Sequence, residues 1–339
     1  MLDGHLLVDA HVHVPLLGSL AQAWIDWARD FGPEGILEDL WDADGVPRPA
    51  RLDELFEAQG VDHALLFCEY SPKATGYQRF EDLLPMVEHN PTRFRPVANV
   101  NPHLHHPIAD EVRRQLDLGA AALKLHPVHG GFRCDDRALY PAYQVLAERG
   151  VPLIVHCGTS TFPGSMNEYA DPSYLLPMVR DFPTLDVVLA HGGRGWWYDA
   201  AAFMALANPR VWIELSGLPP KRLPEYFARY DLNRLARKWI FATDWPGVPS
   251  TCRNARDVVG LGLDEETAAA AALVLPLSVA AVSPVAAGSV LVDRGWPSYG
   301  HVSPYLAAGI LGRNALSVYA GLDHLRDKST TDQTGGEPR

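Results

Sequence analysis

Residues 6–13 read LLVDAHVH, a short apolar run that ends in two histidines, His11 and His13. Side chains of a β-strand alternate between its two faces, so residues two positions apart point to the same face. The run therefore predicts a strand that carries two imidazoles on one side. Two such imidazoles can bind a single cation, although structural histidines also produce this spacing.

Seven further runs share the short, apolar and β-branched character of the first, and helical patterns separate them. This alternation is typical of parallel βαβ units. The eight predicted strands are Leu6–His13, Asp62–Glu69, Arg95–Asn101, Ala121–His126, Leu153–His156, Asp186–His191, Val211–Ser216 and Trp239–Asp244. The predicted helices between them include Ile108–Leu118, Tyr140–Arg149, Pro172–Phe182 and Arg222–Arg237.

Nearly every predicted strand ends in a polar residue, which favours a barrel over a doubly wound sheet. The carboxyl ends of the strands form the active-site floor of a (β/α)₈ barrel. A doubly wound sheet more often has a Gly-rich turn after its first strand, and this sequence lacks one. We therefore predict an α/β fold, a distorted (β/α)₈ TIM barrel. The polar strand ends are His11 with His13, Glu69, Asn101, Lys124 with His126, His156, His191, Ser216 and Asp244.

The length of 339 residues suits one enlarged domain, since such barrels take about 250 residues and reach roughly 400 with insertions. We predict a single domain over residues 1–322. It has an excursion over 15–50 after the first strand and an unusual Ala- and Pro-rich insertion over 273–308 before the last helix. The excursion holds three tryptophans, and it either packs against one end of the barrel or forms a lid. Residues 323–339 are predicted to be a disordered tail.

Composition excludes some classes of protein. The formal net charge of −12 argues against a nucleic-acid-binding surface, which needs clustered Lys and Arg. The four cysteines are scattered, as in a cytosolic protein with reduced thiols. The first residues lack a basic region and a cleavage site, so we expect no signal peptide and a cytoplasmic location. The sequence leaves a homodimer open.

Residues 267–292 contain no charged side chain and are long enough for a membrane span. They are richer in alanine than in leucine or isoleucine, and they include two prolines. We therefore favour a buried helical insertion over a membrane span.

The histidine pair gains weight from the residues at other strand ends. His156, His191 and Asp244 end the fifth, sixth and eighth predicted strands. Burying unpaired polar groups is costly, so core packing alone explains poorly why these side chains converge with His11 and His13. The set predicts a metal site.

Four motifs resemble those of the amidohydrolase superfamily, in its aminocarboxymuconate-semialdehyde decarboxylase-like branch, the amidohydrolase-related type 2 group. The resemblance covers about 1–272 and 309–322, whereas 273–308 has no counterpart. The motifs are DAHVH (9–13), VHCG (155–158), AHGG (190–193) and ATDWP (242–246).

The resemblance implies a distorted (β/α)₈ barrel with one divalent ion, often zinc. It implies His11, His13, His156 and Asp244 as ligands. It also implies that His191 is the catalytic histidine that polarises or orients the substrate. Three imidazoles and one carboxylate suit Zn²⁺, with Mn²⁺ or Fe²⁺ as alternatives.

This allocation agrees with elementary chemistry. An open coordination position would hold a water whose pKa falls towards roughly 7. Asp244 could act both as ligand and as the general base for that water. His191 could donate a hydrogen bond to a developing oxyanion. Some superfamily members carry a carboxylated lysine on the fourth strand, but we favour Lys124 as a partner of a substrate carboxylate or a nearby Asp.

Six residues are predicted to bind substrate. Arg194 follows His191 closely and stands beside two indoles, a combination that could clamp an aromatic or carboxylate-bearing ligand. Alternatively, these tryptophans pack against the barrel top. The predicted substrate-binding residues are Glu69, Asn101, Lys124, Arg194, Trp196 and Ser216.

The leading functional hypothesis is metal-dependent hydrolysis of a C–N or C–O bond in a small cyclic, aromatic or acyl substrate. The alternatives are non-oxidative decarboxylation of an aromatic or unsaturated acid and a dehydrative cyclisation that uses the same metal. A non-catalytic barrel that only binds its ligand is the remaining option. Intact ligands disfavour it.

Overall fold

The computed structural model describes residues 2–261 and 309–319. Within them, eight parallel strands form one sheet in the order β1-β2-β5-β6-β7-β8-β9-β10, and β3 pairs with β4 in a small antiparallel hairpin. The strands are β1 (Val8–His13), β2 (His63–Phe67), β3 (Glu69–Ser71), β4 (Gly76–Gln78), β5 (Phe94–Asn99), β6 (Leu123–Leu125), β7 (Leu153–Gly158), β8 (Val187–Arg194), β9 (Val211–Glu214) and β10 (Trp239–Ile240). The predicted TIM barrel is confirmed, since the sheet is a nearly closed barrel with helices between its strands.

The helices lie between the barrel strands and cover the sheet. They are α1 (Gln22–Phe31), α2 (Ile36–Leu40), α3 (Pro49–Ala58), α4 (Leu84–His89), α5 (Ile108–Asp117), α6 (Pro127–Gly130), α7 (Tyr140–Arg149), α8 (Leu176–Asp181), α9 (Tyr198–Ala207), α10 (Leu223–Tyr226), α11 (Leu232–Ala236), α12 (Thr251–Val259) and α13 (Asn314–Val318). A π-helical turn, Gly309–Arg313, leads into α13. Short 3₁₀ turns occupy Leu17–Ser19, Phe80–Leu83, Arg137–Leu139, Asn167–Tyr169, Pro172–Leu175 and Pro220–Arg222.

One predicted helix is wrong in its extent. The segment Arg222–Arg237 forms two short helices, α10 and α11, rather than one. Asp231 explains the break, because its side chain accepts hydrogen bonds from the backbone N–H groups of Asn233 and Arg234. An aspartate in this position caps the start of a new helix.

The strands alternate between two layers of the core. Val8 and Ala10 belong to an inner cluster of alternate strand residues that fills the barrel, whereas Val12 packs in the outer layer against helices. The β1–β2 register shifts between Asp9 and Val12. After this shift the His11 ring packs on Phe67 of the inner cluster, with 4.2 Å between ring centroids. The register shift therefore turns the histidine end of β1 towards the barrel interior.

The first and last barrel strands meet at an irregular seam. Asp9 is fully buried, and its carboxylate accepts hydrogen bonds from the Thr243 backbone N–H (3.0 Å) and hydroxyl (2.7 Å). The His11 carbonyl accepts hydrogen bonds from the N–H groups of Asp244 (3.1 Å) and Trp245 (3.2 Å). These contacts bring the ends of β1 and the segment after β10 together at the mouth of the barrel.

The excursion over residues 15–50 packs against this mouth. Trp41 is buried and stacks on Trp245, with ring centroids 6.5 Å apart and planes inclined by 13°. The Trp41 indole N–H donates a 2.7 Å hydrogen bond to the Pro15 carbonyl. Trp24 is buried as well, and α1 also contributes to the cleft described below.

The insertion over 273–308, the uncharged run 267–292 and the tail over 323–339 lie outside the described residues. Within 2–261 and 309–319, no helix is long and apolar enough to span a membrane.

Replacing Asp9 with Ala is expected to destabilise the seam. The Thr243 hydroxyl and backbone N–H would lose their acceptor inside the protein, so the free energy of unfolding should fall by about 2–4 kcal/mol. Urea-induced unfolding measures the change. A double-mutant cycle with Thr243→Ala should show that the two losses are not additive. Fully additive losses would contradict the proposed contact.

Candidate metal centre

Three side chains converge at the barrel mouth within metal-binding distance of one another. The Nε2 atoms of His11 and His13 lie 3.1 Å apart, and each is 3.4 Å from Oδ1 of Asp244. Both histidines are buried. The structure thus brings together three of the four predicted ligands.

The backbone is strained both at Asp244, which supplies one of the three donors, and at His191. Asp244 has φ of 67°, and His191 has φ of 65°. Left-handed conformations are uncommon outside glycine and often mark functional sites. At both positions the strained residue presents its side chain to the interior.

The three donor atoms suit a divalent metal ion. Ligands of a tetrahedral ion at roughly 2.0–2.1 Å lie about 3.3 Å from one another, close to the separations observed here. Burial lowers the pKa of His11 well below its ordinary value, so the imidazole is neutral and keeps a lone pair for a cation. The residues present therefore fit the metal that the sequence predicts.

Glu214 and Ser216 contact the opposite side of the His11 ring. His11 Nδ1 lies 3.2 Å from Oε2 of Glu214 and 3.0 Å from the Ser216 hydroxyl, which donates to the same carboxylate oxygen. A carboxylate behind a ligating histidine fixes its tautomer and raises its basicity. Burial raises the pKa of Glu214 to about 7.

Glu214 was missed by the sequence prediction, although a signal was available. It lies two residues before Ser216, a predicted pocket residue. The period of a strand places both side chains on the same face.

His156 and His191 form a second contact beside the three donors. Nδ1 of His156 lies 3.1 Å from Nε2 of His191, and their ring centroids are 4.4 Å apart. His191 also contacts the Ser216 hydroxyl through Nδ1, at 2.9 Å. Nε2 of His156 is 3.1 Å from the Gly158 carbonyl. The role of His156 as fourth ligand stays a prediction, as does the catalytic role of His191.

The charge of Asp244 is maintained by its neighbours. Burial would raise the pKa of this carboxyl. The imidazoles of His11 and His13 and the Arg194 guanidinium outweigh burial and hold the pKa well below its usual range. Asp244 is therefore an ionised carboxylate at neutral pH.

A cleft of about 520 Å³ opens onto Asp244. Arg194 lines it on one side, and Trp27 and Phe31 of α1 line it on another. The Arg194 guanidinium donates to the Thr159 carbonyl from Nη2, at 3.1 Å. Lys221 also lines the cleft, where it forms a 3.3 Å ion pair with Asp257. The cleft can accept a small ligand with an apolar body and a negative group.

Comparison with known proteins identifies the family of this chain. The sequence model of the family described as Amidohydrolase matches residues 8–319. The chain belongs to the amidohydrolase family. The predicted membership of the amidohydrolase superfamily is thereby confirmed.

Individual relatives of this amidohydrolase are more distant. A dihydroorotase from Vibrio vulnificus is 34% identical over 113 residues, which are 30% of this chain and 32% of that protein. The chain thus matches about a third of the length of this curated relative.

Solved structures share the fold over longer spans. A TIM-barrel protein, Bb4693, from Bordetella bronchiseptica has a TM-score of 0.61 at 20% identity, over 95% of this chain and 99% of that one. A 5-carboxyvanillate decarboxylase from Novosphingobium aromaticivorans, in complex with manganese and 4-hydroxy-3-methoxy-5-nitrobenzoic acid, has a TM-score of 0.52 at 17% identity, over 78% and 92%.

The remaining predicted substrate-binding residues of this amidohydrolase differ in their positions. Trp196 is 72% exposed and lines a separate, shallow depression. The Asn101 amide is engaged locally, since it donates to the Tyr70 carbonyl and accepts from the His103 N–H. Lys124 is fully buried, with Nζ 5.0 Å from the centroid of Phe67.

Two of the predicted residues belong to other contacts. Ser216 is fully buried between His11 and His191. Glu69 joins His126 and His129 in a second buried group. The substrate roles of all six predicted residues stay predictions.

Replacing Glu214 with Gln is expected to weaken metal binding while the three donors stay in place. Loss of such a supporting carboxylate typically lowers metal affinity about 10–100-fold. Titration of the metal-free protein with Mn²⁺ measures the change. Glu225→Gln, which alters an exposed partner of Arg222, is the matched control and should bind as wild type does. Equal affinities of all three proteins would refute a role for Glu214.

Proposed function

We propose that this amidohydrolase is a metal-dependent hydrolase that cleaves a C–N or C–O bond in a small cyclic, aromatic or acyl substrate. The observation that carries the proposal is the double position of Asp244. Its carboxylate lies 3.4 Å from both His11 and His13, and it also lines the cleft. A group so placed can contact a bound cation and a reacting substrate at once.

The cation would be held by His11, His13 and Asp244, with His156 as the fourth ligand that the resemblance implies. We propose zinc, with Mn²⁺ or Fe²⁺ as alternatives, because imidazole and carboxylate donors suit all three. When bound, such an ion supplies a Lewis acid that makes water a better nucleophile near neutral pH.

The side chains divide the remaining work. The ionised Asp244 accepts the proton of the attacking water and returns it to the leaving group. His191 lies beside it, with Nδ1 3.9 Å from Oδ2 of Asp244, and orients the substrate or stabilises the developing oxyanion. Trp27 and Phe31 shield the reaction from bulk water, and Arg194 binds a carboxylate of the substrate.

Decarboxylation of an aromatic or unsaturated acid is the second candidate. The observation that favours it is the Arg194 guanidinium in the wall of the cleft that Asp244 also lines. A manganese-containing decarboxylase with the same fold is consistent with it. Release of CO₂ from aromatic acids, set against hydrolysis of lactones and cyclic amides, separates the two reactions. A cytoplasmic location and a homodimer stay predictions.

Removal of the metal by a chelator is expected to abolish turnover on the substrate panel, and added Zn²⁺ or Mn²⁺ should restore it. Asp244→Asn removes the base and should lower kcat by about 10²–10⁴-fold. Steady-state kinetics on the responding substrate measures both effects. Glu225→Gln serves as the folded control with unchanged activity. Full activity in the chelated protein would overturn the proposal.

Replacing Arg194 with Ala is expected to raise KM more than it lowers kcat for a substrate with a carboxylate. A charged hydrogen bond is worth about 1.5–3 kcal/mol, which corresponds to roughly a 10–100-fold loss in kcat/KM. The same substrate as a methyl ester should show little difference between wild type and variant. An equal loss for both substrates would indicate that Arg194 acts on structure instead.

A further inference from the structure

A second buried group of metal-ligand type lies away from the cleft. It consists of Glu69, His126 and His129, each no more than 5% exposed, and we call it the Glu69 cluster. Oε2 of Glu69 is 3.2 Å from Nε2 of His126, and Oε1 is 3.3 Å from Nδ1 of His129. One carboxylate thus faces two imidazoles, an arrangement that core packing does not require.

His126 is the most informative member of the cluster. Among the described residues, neither of its ring nitrogens has a hydrogen-bond partner of acceptable geometry, although Oε2 of Glu69 lies near Nε2. A buried polar atom without a partner costs about 1–3 kcal/mol. The cost is removed if Nε2 binds a cation that Glu69 also binds.

His129 and Glu69 are held as metal ligands usually are. Nε2 of His129 lies 2.9 Å from the Ser160 hydroxyl, which leaves Nδ1 to face Glu69. Thr75 donates a 2.8 Å hydrogen bond to Oε1 of Glu69. Such supporting contacts fix the orientation of ligating side chains.

From these contacts we propose that Glu69, His126 and His129 form a second binding site for a divalent transition-metal cation, separate from the site at His11, His13 and Asp244. Two imidazoles and one carboxylate suit Zn²⁺, Mn²⁺ or Fe²⁺. The two sites share no ligand.

Counting bound manganese tests the second site independently of any activity. The full-length protein is stripped with a chelator, loaded with Mn²⁺, desalted and analysed by elemental mass spectrometry. Wild type should retain about two Mn²⁺ per chain. Glu69→Gln and His126→Gln should each retain about one, and His13→Gln should also retain about one because its loss affects the other site.

Matched controls change the same residue types outside the cluster. His103→Gln alters an exposed histidine, and Glu81→Gln alters a partly exposed glutamate paired with Arg114. Both should retain the wild-type amount of Mn²⁺. A Glu69→Gln variant that retains as much Mn²⁺ as wild type, whether wild type retains one ion or two, would overturn the second site and show a hydrogen-bonded group only.

Anomalous diffraction from Mn²⁺-loaded wild-type crystals gives the same decision if the variants fail to fold. A peak between Glu69, His126 and His129 is expected. A peak at His11, His13 and Asp244 alone would refute the second site and leave the proposed hydrolase intact, whereas a peak at the Glu69 cluster alone would do the reverse.

Discussion

The interior of this barrel holds more negative than positive side chains, and the site depends on how that charge is balanced. Four carboxylates are buried or nearly so: Asp9, Glu69, Glu214 and Asp244. Lys124 is the only lysine or arginine among the buried residues of the described chain. A buried carboxylate destabilises a fold unless protons, hydrogen bonds or cations offset its charge.

The four carboxylates divide into two pairs, because the fold raises the pKa of one pair and lowers the pKa of the other. Burial raises the pKa of both Asp9 and Glu214 to about 7, and both make hydrogen bonds to neighbouring groups. These two can share or hold a proton and act as structural supports. Asp244 and Glu69 keep their pKa below the ordinary value and face imidazoles. Each of these two carboxylates lies beside two imidazoles, an arrangement that a cation fits.

Much of this arrangement followed from the sequence. The two-residue period of a β-strand predicted that His11 and His13 share a face. Because the parallel strands of a barrel end at one rim, the sequence also predicted that Asp244 lies near them. Glu214 obeys the same periodicity with Ser216. Other residues could not be found this way. His129 reaches Glu69 only through α6, the single helical turn after β6, and a contact 60 residues away in sequence carries no local pattern. The register shift in β1 likewise has no recognisable pattern in the amino-acid sequence.

A row of buried imidazoles connects the site at Asp244 with the Glu69 cluster. His156 packs against His191 at 4.4 Å on one side and His129 at 5.0 Å on the other, and His191 packs against His11 at 5.1 Å. Burial lowers the pKa of His11, His156 and His191 well below the ordinary value, so these rings favour the neutral form. Neutral rings serve as ligands and hydrogen-bonding groups. The cleft is lined by Asp244 but by none of the Glu69 cluster. A cation at Asp244 would therefore meet substrate, and one at Glu69 would balance charge in the interior.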